Sequence, residues 1–316
     1  MSQQSAAAYL RHGQTPFFRL PLADFQSVTP YRGADAVLLG VPYDGAVTYQ
    51  PGARLAPYHL RRTSAFLQSV HPIHRVDVFR TLRVLDGGNV AFPPFAAAQV
   101  RALVQEEVGA IVNAGAAPIV VGGDHSVALP SMRAVAAKHG PLAVLHVDAH
   151  LDTSGPEVWS EEFHHGTPIR HALEEGLIAP GGLFQVGLRA SWGHPEEGAL
   201  VARHGAVGYS MMVVERIGVE AIGREIRAAA GDRPFYLTFD VDGVDPAFAP
   251  GTGTPVPGGL TSREALALLR ALAGVRLVGM DLVEVSPALD HADLTCHLGA
   301  WLLYEGLALR ALSAGR

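Results

Sequence analysis

The sequence predicts an α/β fold built on an open, doubly wound parallel sheet. Short apolar segments alternate with segments of helical period along most of the 316 residues, as in strand–helix–strand units. Several apolar segments, among them AVLLG and PIVVGG, are continuous rather than alternating, which is typical of parallel strands covered on both faces. No break in composition or long polar linker divides the chain. We therefore predict one domain over residues 31–316, preceded by an arm over residues 1–30.

Eight apolar segments are candidate strands. Each is short and is followed by a glycine, a proline or a polar residue. In chain order they are Ala34–Val41, Leu82–Leu85, Pro118–Val121, Leu142–Val147, Leu183–Leu188, Ala206–Tyr209, Phe235–Phe239 and Val275–Val283.

The segments between the strands carry helix signals. In Phe95–Gly115 the apolar residues follow i, i+3, i+4 spacing, and the final glycine is suited to end a helix. Thr261 and Glu264 form a capping-box pattern before the apolar-rich segment Ala265–Leu272. Helices between consecutive strands are what parallel connections require.

Composition excludes several classes of function. The formal net charge is −6, Lys138 is the only lysine, and the arginines are scattered, so binding to nucleic acid or to an anionic membrane is disfavoured. No apolar run is long enough to span a membrane, and the N-terminus lacks the pattern of a signal peptide. A single cysteine, Cys296, excludes an intrachain disulfide and fits the cytoplasm, which is the predicted location.

Ionisable side chains follow three of the candidate strands directly. GGDH (122–125) comes after the third candidate strand, DAHLD (148–152) after the fourth, and DVDGVD (240–245) after the seventh. In open parallel sheets, ligands bind at the carboxyl ends of the strands. The side chains of the three motifs are therefore expected to converge, although they are far apart in sequence.

Six of these side chains are candidate metal ligands. Because residues i and i+2 of an extended chain point to the same side, we expect Asp148 beside His150, and Asp240 beside Asp242. Buried carboxylates are costly unless they are paired or bind a metal. The four carboxylates and two imidazoles carry a charge of −4, which two divalent cations would balance. The candidates are His125, Asp148, His150, Asp152, Asp240 and Asp242.

The motifs GGDHS (122–126), DAHLD (148–152) and DVDGVDPAFAPGTGTP (240–255) resemble those of the ureohydrolases, the family of arginases and agmatinases. The resemblance extends from about residue 40, in GVPYDGAVTYQPGAR, to the C-terminus. Each motif alone also fits a turn or a structural histidine, so the combination carries the resemblance. It implies a three-layer α/β/α fold with a mainly parallel eight-stranded sheet, and hydrolysis of a guanidino compound to urea and an amine.

The resemblance also implies a cofactor of two Mn²⁺ per subunit, although the same ligand types suit Fe²⁺, Zn²⁺ and Ni²⁺. Guanidinium is a poor electrophile that water barely attacks at neutral pH. Two divalent ions lower the pKa of a shared water, and the resulting hydroxide is a strong enough nucleophile. By resemblance, the first ion is assigned to His125, Asp148, Asp152 and Asp240, and the second to Asp148, His150, Asp240 and Asp242.

Further site residues follow from the resemblance. His165, in HHGTP, matches the histidine that gives a proton to the leaving amine, and its neighbour His164 competes for that role. Glu284, in DLVEVSP, matches the glutamate that binds the guanidinium. Thr254, in GTGTP, matches a residue near the guanidinium.

The loops beside the motifs predict the tail of the substrate. Ser154 stands where arginases place an asparagine that binds arginine, so arginine is disfavoured. Trp159 and several loop glutamates suit a cationic tail, which makes agmatine, hydrolysed to putrescine in polyamine biosynthesis, the predicted substrate. The same glutamates also fit ordinary solvated loops. They are Glu157, Glu161, Glu162, Glu196 and Glu197.

Two alternatives stay open. The same chemistry also fits 4-guanidinobutyrate, a proclavaminate-like amidino compound or guanidine itself. A metal-binding protein of this fold without hydrolase activity is the other alternative, although such a protein would need neither His165 nor Glu284. The resemblance further implies a homo-oligomer, a trimer or a hexamer.

Overall fold

The computed structural model describes residues 15–93 and 96–313. Over these residues, eight strands form one sheet in which every pair is parallel, so the predicted sheet and all eight predicted strands are confirmed. The strands are β1 (Ala36–Gly40), β2 (Val84–Asn89), β3 (Ala117–Val121), β4 (Leu142–Val147), β5 (Ile178–Leu188), β6 (Val207–Ser210), β7 (Pro234–Asp240) and β8 (Arg276–Val283).

Helices occupy the connections between the strands. None of those in the described parts of the chain combines the length and the apolar character that a membrane span needs. They are α1 (Ala56–Ser64), α2 (Val78–Thr81), α3 (Ala97–Asn113), α4 (Ala128–His139), α5 (Pro156–Trp159), α6 (Pro168–Glu174), α7 (Glu196–Arg203), α8 (Met211–Ile217), α9 (Val219–Ala230), α10 (Ser262–Ala271) and α11 (Leu294–Ser313).

The helices form two layers, one on each face of the sheet. Successive strand residues point to opposite faces. In β1, Leu38 packs in a core that includes residues of α1, α9, α10 and α11, whereas Val37 and Leu39 pack in a second core with α3, α4 and α6. Both faces are therefore buried, which explains the continuous apolar runs and confirms the three-layer α/β/α prediction.

Two predicted helix features can be compared with the structure. Thr261 Oγ1 accepts the backbone N–H of Glu264 at 3.1 Å, and the glutamate accepts the N–H of Thr261 at 2.8 Å, so the predicted capping box is confirmed. The predicted helix Phe95–Gly115 contains α3, although Phe95 lies outside the described residues. Gly115 has a φ of 90°, a conformation that favours glycine after a helix.

The predicted arm packs on the domain over part of its length. Residues 1–14 lie outside the described residues. Phe17, Phe18 and Leu20 are buried in the core that contains α1 and α11, and the ring of Phe18 lies 5.5 Å from that of Phe79. The prediction of an arm outside the core is therefore wrong for these apolar residues, and it stays a prediction for residues 1–14.

The strand order is β2-β1-β3-β8-β7-β4-β5-β6. The strands that precede the three motifs, β3, β4 and β7, are therefore close together in the centre of the sheet. The last strand, β8, lies between β3 and β7 and places Glu284 among the motifs. Four neighbouring carboxyl ends thus supply the residues of one site.

Candidate metal centre

The three motifs form the same type of turn at the ends of their strands. In each, an aspartate Oδ1 accepts the backbone N–H two residues later. The i, i+2 neighbours predicted from an extended chain do meet, but a turn brings them together, so the extended-chain reason was wrong. The turns fix the direction of each carboxylate, and the second oxygen of Asp124 also accepts the N–H of Ala46 at 2.9 Å. The bonds join Asp124 to Ser126 at 3.0 Å, Asp148 to His150 at 2.6 Å, and Asp240 to Asp242 at 2.8 Å.

His125 lies at the centre of a first cluster. Its Nδ1 lies 3.2 Å from Asp148 Oδ2, 2.8 Å from Asp152 Oδ2 and 3.3 Å from Asp240 Oδ2. All four residues are buried. The first predicted ligand set is therefore brought together around one nitrogen atom.

The hydrogen bonds of His125 indicate which of its nitrogens faces the carboxylates of this cluster. Its Nε2 lies 2.8 Å from the hydroxyl of Thr238, which donates to Asp281 at 2.6 Å. Because that hydroxyl proton is used, Thr238 accepts from Nε2–H, and Nδ1 is the nitrogen that faces the three carboxylates. Burial opposes the charged form of His125, but Asp152 and the other two carboxylates outweigh it and raise its pKa well above its ordinary value. In the polypeptide alone a proton on Nδ1 therefore compensates these carboxylates, and a metal cation can take the place of that proton.

His150 belongs to a second cluster. Its Nδ1 lies 3.2 Å from Asp148 Oδ1 and 3.1 Å from Asp242 Oδ2. Asp242 Oδ1 accepts the N–H of Ala149 at 3.1 Å, and Thr254 donates to Asp242 Oδ2 at 3.2 Å. Asp148 directs one oxygen toward each cluster, which is the arrangement that a bridging ligand requires.

The charges of the clusters act strongly on one another. Burial and the neighbouring carboxylates of Asp242 and Asp148 raise the pKa of Asp240 well above its ordinary range. Burial opposes the charged form of His150, but Asp242 and Asp148 outweigh it and raise its pKa to about 12. In the polypeptide without metal, bound protons therefore compensate the negative charge of the carboxylates. Divalent cations can replace those protons.

His165 and Glu284 form a pair beside the clusters. His165 Nδ1 lies 2.9 Å from Glu284 Oε1, and its Nε2 lies 2.9 Å from the hydroxyl of Thr48. Burial lowers the pKa of His165, but the hydrogen bond and charge of Glu284 outweigh it and raise the pKa to about 9. The same Glu284 oxygen accepts the backbone N–H of His125 at 3.0 Å. The raised pKa favours the imidazolium at neutral pH, and the backbone N–H of Thr48 also lies 3.2 Å from Nε2.

Two of the site residues have a left-handed backbone. Asp152 has a φ of 54° and Glu284 a φ of 60°. This conformation costs a residue with a side chain roughly 1–2 kcal/mol. Such strain is typical of side chains that the surrounding structure holds in one direction for function.

A close backbone contact positions the loop that carries Thr48. A Cβ atom at Gly123 would lie 1.5 Å from the carbonyl oxygen of Tyr43, so only glycine fits there. The next residue, Asp124, donates its N–H to the same carbonyl at 2.8 Å. The loop after β1 is thereby fixed against the end of β3, and this contact brings Thr48 to His165.

These residues line a cavity of about 280 Å³, here called the metal cavity. Its lining includes ligand candidates of both clusters together with His165, and Thr254 and His164 also contribute. Trp159 lies at the edge with 59% of its surface exposed. Glu284 lies behind His165 and contacts it directly. The structure thus brings together all the site residues predicted from sequence.

Comparison with known proteins decides the family. A model of the Arginase family matches residues 34–308. The chain belongs to the arginase family. This confirms the predicted resemblance, the predicted fold and the predicted class of enzyme, an agmatinase-like ureohydrolase.

Individual arginase-family relatives match over nearly the full chain. Proclavaminate amidinohydrolase from Streptomyces clavuligerus is 41% identical over 93% of this chain and 94% of its own. Its solved structure superposes with a TM-score of 0.89, covering 96% of this chain and 99% of that one at 40% identity. Guanidinopropionase from Pseudomonas aeruginosa is 40% identical over 96% and 94%, and an agmatinase from Neisseria meningitidis is 39% identical over 93% and 92%.

Sequence reasoning missed His146, which also fits the arginase-family metal cluster. With His125, Asp148 and Asp152 it forms a group whose ligand atoms all lie within 4.8 Å of one another. Gln185 donates to His146 Nδ1 at 2.9 Å, so the ring presents Nε2–H to Asp148 Oδ2 at 2.8 Å. His146 therefore orients Asp148. The signal was the alternation of His146, Asp148, His150 and Asp152 in HVDAHLD.

The loop glutamates are less available than the sequence indicated. Glu157 pairs with Arg170 at 3.3 Å, and Glu196 pairs with Arg203. Glu197 is buried and accepts the N–H groups of residues 193 and 194 at 2.8 and 3.0 Å. Three of the five glutamates on which the cationic-tail prediction rests are therefore engaged within the chain, and Glu161 and Glu162 remain exposed.

Proposed function

We propose that this arginase-family protein is a binuclear-metal hydrolase that converts a small guanidino compound and water into urea and an amine. The observation that carries the proposal is the placement of His125 Nδ1 among three buried carboxylates, with a second cluster joined to it through Asp148. This donor set suits two divalent cations, and Mn²⁺ is the proposed metal.

The proposed ligands are those of the two predicted sets. When bound, the cations supply a deprotonated water at neutral pH. The residues of the chain then have separate roles. Thr254 and the N–H of Ala149 hold Asp242 in place, and the turns at the strand ends hold Asp148 and Asp240.

Glu284 and His165 act on the substrate in this proposal. The carboxylate of Glu284 accepts N–H groups of the guanidinium, which fixes the electrophilic carbon above the clusters. His165 is protonated at neutral pH and gives a proton from its imidazolium to the nitrogen that leaves. The overall reaction joins a guanidinium and a water and releases urea and an alkylammonium ion, so no proton is gained or lost at neutral pH.

Agmatine stays a prediction for the substrate. Trp159 and Trp192 line the metal cavity and suit a cationic tail. Because Glu157 and Glu196 pair with arginines of the chain, they contribute less negative charge to attract such a tail. Carboxylate-bearing compounds, which the names of proclavaminate amidinohydrolase and guanidinopropionase indicate, are the competing class. The homo-oligomer and the cytoplasmic location also stay predictions.

The proposal is tested by measuring urea release from Mn²⁺-loaded protein with agmatine, arginine, 4-guanidinobutyrate and guanidine in parallel. We expect urea from at least one guanidino compound, dependence on metal after chelation and reloading, and loss of activity in Glu284→Gln. Protein that binds two metals but releases no urea from any compound, with an unchanged His165→Ala variant, would support the non-catalytic alternative.

A further inference from the structure

A second cavity, here called the tail cavity, adjoins the metal cavity. Its volume is about 520 Å³. Thr48, Trp159 and His164 line both cavities and therefore form a shared wall. A substrate whose guanidinium lies beside Glu284 has space for its tail in this direction.

Arg101 is the cationic residue of the tail cavity. It is half-buried, and its Cζ lies 4.4 Å from the centre of the Phe163 ring, a cation–π contact. Among the described residues it has no hydrogen bond and no ion pair. Glu161 lines the same cavity, but no ion pair within 4.0 Å joins it to Arg101. The charge of Arg101 is therefore free to meet an anion.

His164 provides a second polar group without a partner. Only 5% of the residue is exposed. Its Nδ1 accepts the N–H of Gly166 at 3.1 Å, so Nε2 carries the proton, and this buried N–H has no acceptor among the described residues. An unsatisfied buried donor costs roughly 1–3 kcal/mol when the protein is alone. The imidazole lies in the wall shared by the two cavities, where a bound anion would supply the acceptor.

The first turn of α3 also faces the tail cavity. Ala97 and Ala98 line it, and the residue before the helix, Ala96, forms no side-chain cap. The backbone N–H groups of a helix start attract negative charge. Three independent features of this cavity, a free guanidinium, an unpartnered imidazole N–H and an uncapped 17-residue helix, thus favour the same kind of ligand group.

We propose that Arg101 and His164 form a carboxylate-binding subsite, and that the substrates are guanidino acids whose carboxylate lies in the tail cavity. This inference rests on the proposed function, because it places the guanidinium of the same substrate at Glu284. Trp159, which lines both cavities, would lie along the chain that joins the two ends of the substrate. Arg101 discriminates a carboxylate from the ammonium of agmatine by attracting the first and repelling the second.

The test compares 4-guanidinobutyrate with agmatine, using the ratio of their kcat/KM values for urea release by the Mn²⁺-loaded protein. We expect the wild type to prefer the acid. Arg101→Gln should lower the acid-to-amine ratio by roughly 10- to 100-fold, as for loss of one charge-assisted hydrogen bond, mainly through a higher KM for the acid. Arg101→Lys, which keeps the charge, should restore part of the ratio.

Arg133→Gln is the matched control, because Arg133 pairs with Glu175 away from both cavities. We expect it to leave the ratio at the wild-type value. Glu161→Gln should raise the ratio, since it removes a negative charge from the tail cavity. A wild type that prefers agmatine, or an Arg101→Gln ratio equal to that of the control, would overturn the subsite while leaving the proposed hydrolase intact. Absence of urea from these two compounds and also from arginine and guanidine would instead overturn the proposed function.

Discussion

The floor and the rim of the metal cavity are built in different ways. The floor consists of the ligand candidates at the ends of β3, β4 and β7, and the rim consists of residues 154–163 and 190–197. Floor side chains are buried and held by turns, by neighbouring strands and by one another. Rim residues include the exposed Trp159 and Trp192, and the rim glutamates Glu157 and Glu196 pair with nearby arginines. The sheet therefore fixes the chemistry, and the loops are left to select the substrate.

The largest expected effect is at the floor, in Asp148→Asn. Asparagine can still accept the N–H of His150, so the turn remains, but both clusters lose a shared negative charge. We expect loss of bound metal and of urea release, on the order of 10⁴-fold or more. Metal content by mass spectrometry and a urea assay measure this. The control is the exposed Asp232→Asn, which should behave as wild type. A variant that retains two metals would contradict a bridging role for Asp148.

A smaller effect is expected between floor and rim, in His165→Asn. Because Glu284 raises the pKa of His165 to about 9, the imidazolium is present at neutral pH and is lost as the pH rises through that value. Wild-type kcat/KM should therefore fall above about pH 9. The variant should lose roughly 100-fold in kcat/KM and no longer show this decline, while its metal content stays unchanged. The exposed His291→Asn serves as control. An unchanged pH profile in the variant would show that another group donates the proton.

The smallest effect is expected at the rim, in Glu197→Gln. The carboxylate accepts two backbone N–H groups of the 193–194 turn, and the amide oxygen of glutamine can replace these bonds only with neutral strength. We expect the free energy of unfolding to fall by about 1 kcal/mol, with metal content near that of the wild type. Chemical denaturation measures the change, and Glu196→Gln, at an exposed ion pair, is the control. Loss of metal from Glu197→Gln would contradict the inference that rim residues do not support the metal ligands of the floor.

The floor could be predicted from the sequence because strands and ligands repeat one local pattern. The pattern is a continuous apolar run followed by an aspartate and then a histidine or a second aspartate. It can be recognised without knowledge of distant contacts, and it located every candidate ligand of the floor except the supporting His146. The support of His125 through Thr238 and Asp281 could not be read in the same way, because it depends on the pairing of those two residues across β7 and β8.

The rim could not be predicted because its interactions depend on how the loops fold. The partner of Glu157 is Arg170, thirteen positions further along the chain, and the two meet only when α5 and α6 are in place. Likewise, Arg101 is unremarkable within the helical pattern of α3. Its relation to His164 became visible only when the structure placed both in the walls of one cavity.

The position of β8 has a consequence for the biosynthesis of the protein. All six candidate ligands have been translated by residue 242, but the central gap between β3 and β7 is closed only by Arg276–Val283. A nascent chain that stops earlier leaves β3 and β7 as unpaired edges and cannot place Glu284. A complete site therefore requires the chain through Glu284, and chains that end earlier expose strand edges that proteases and chaperones can recognise.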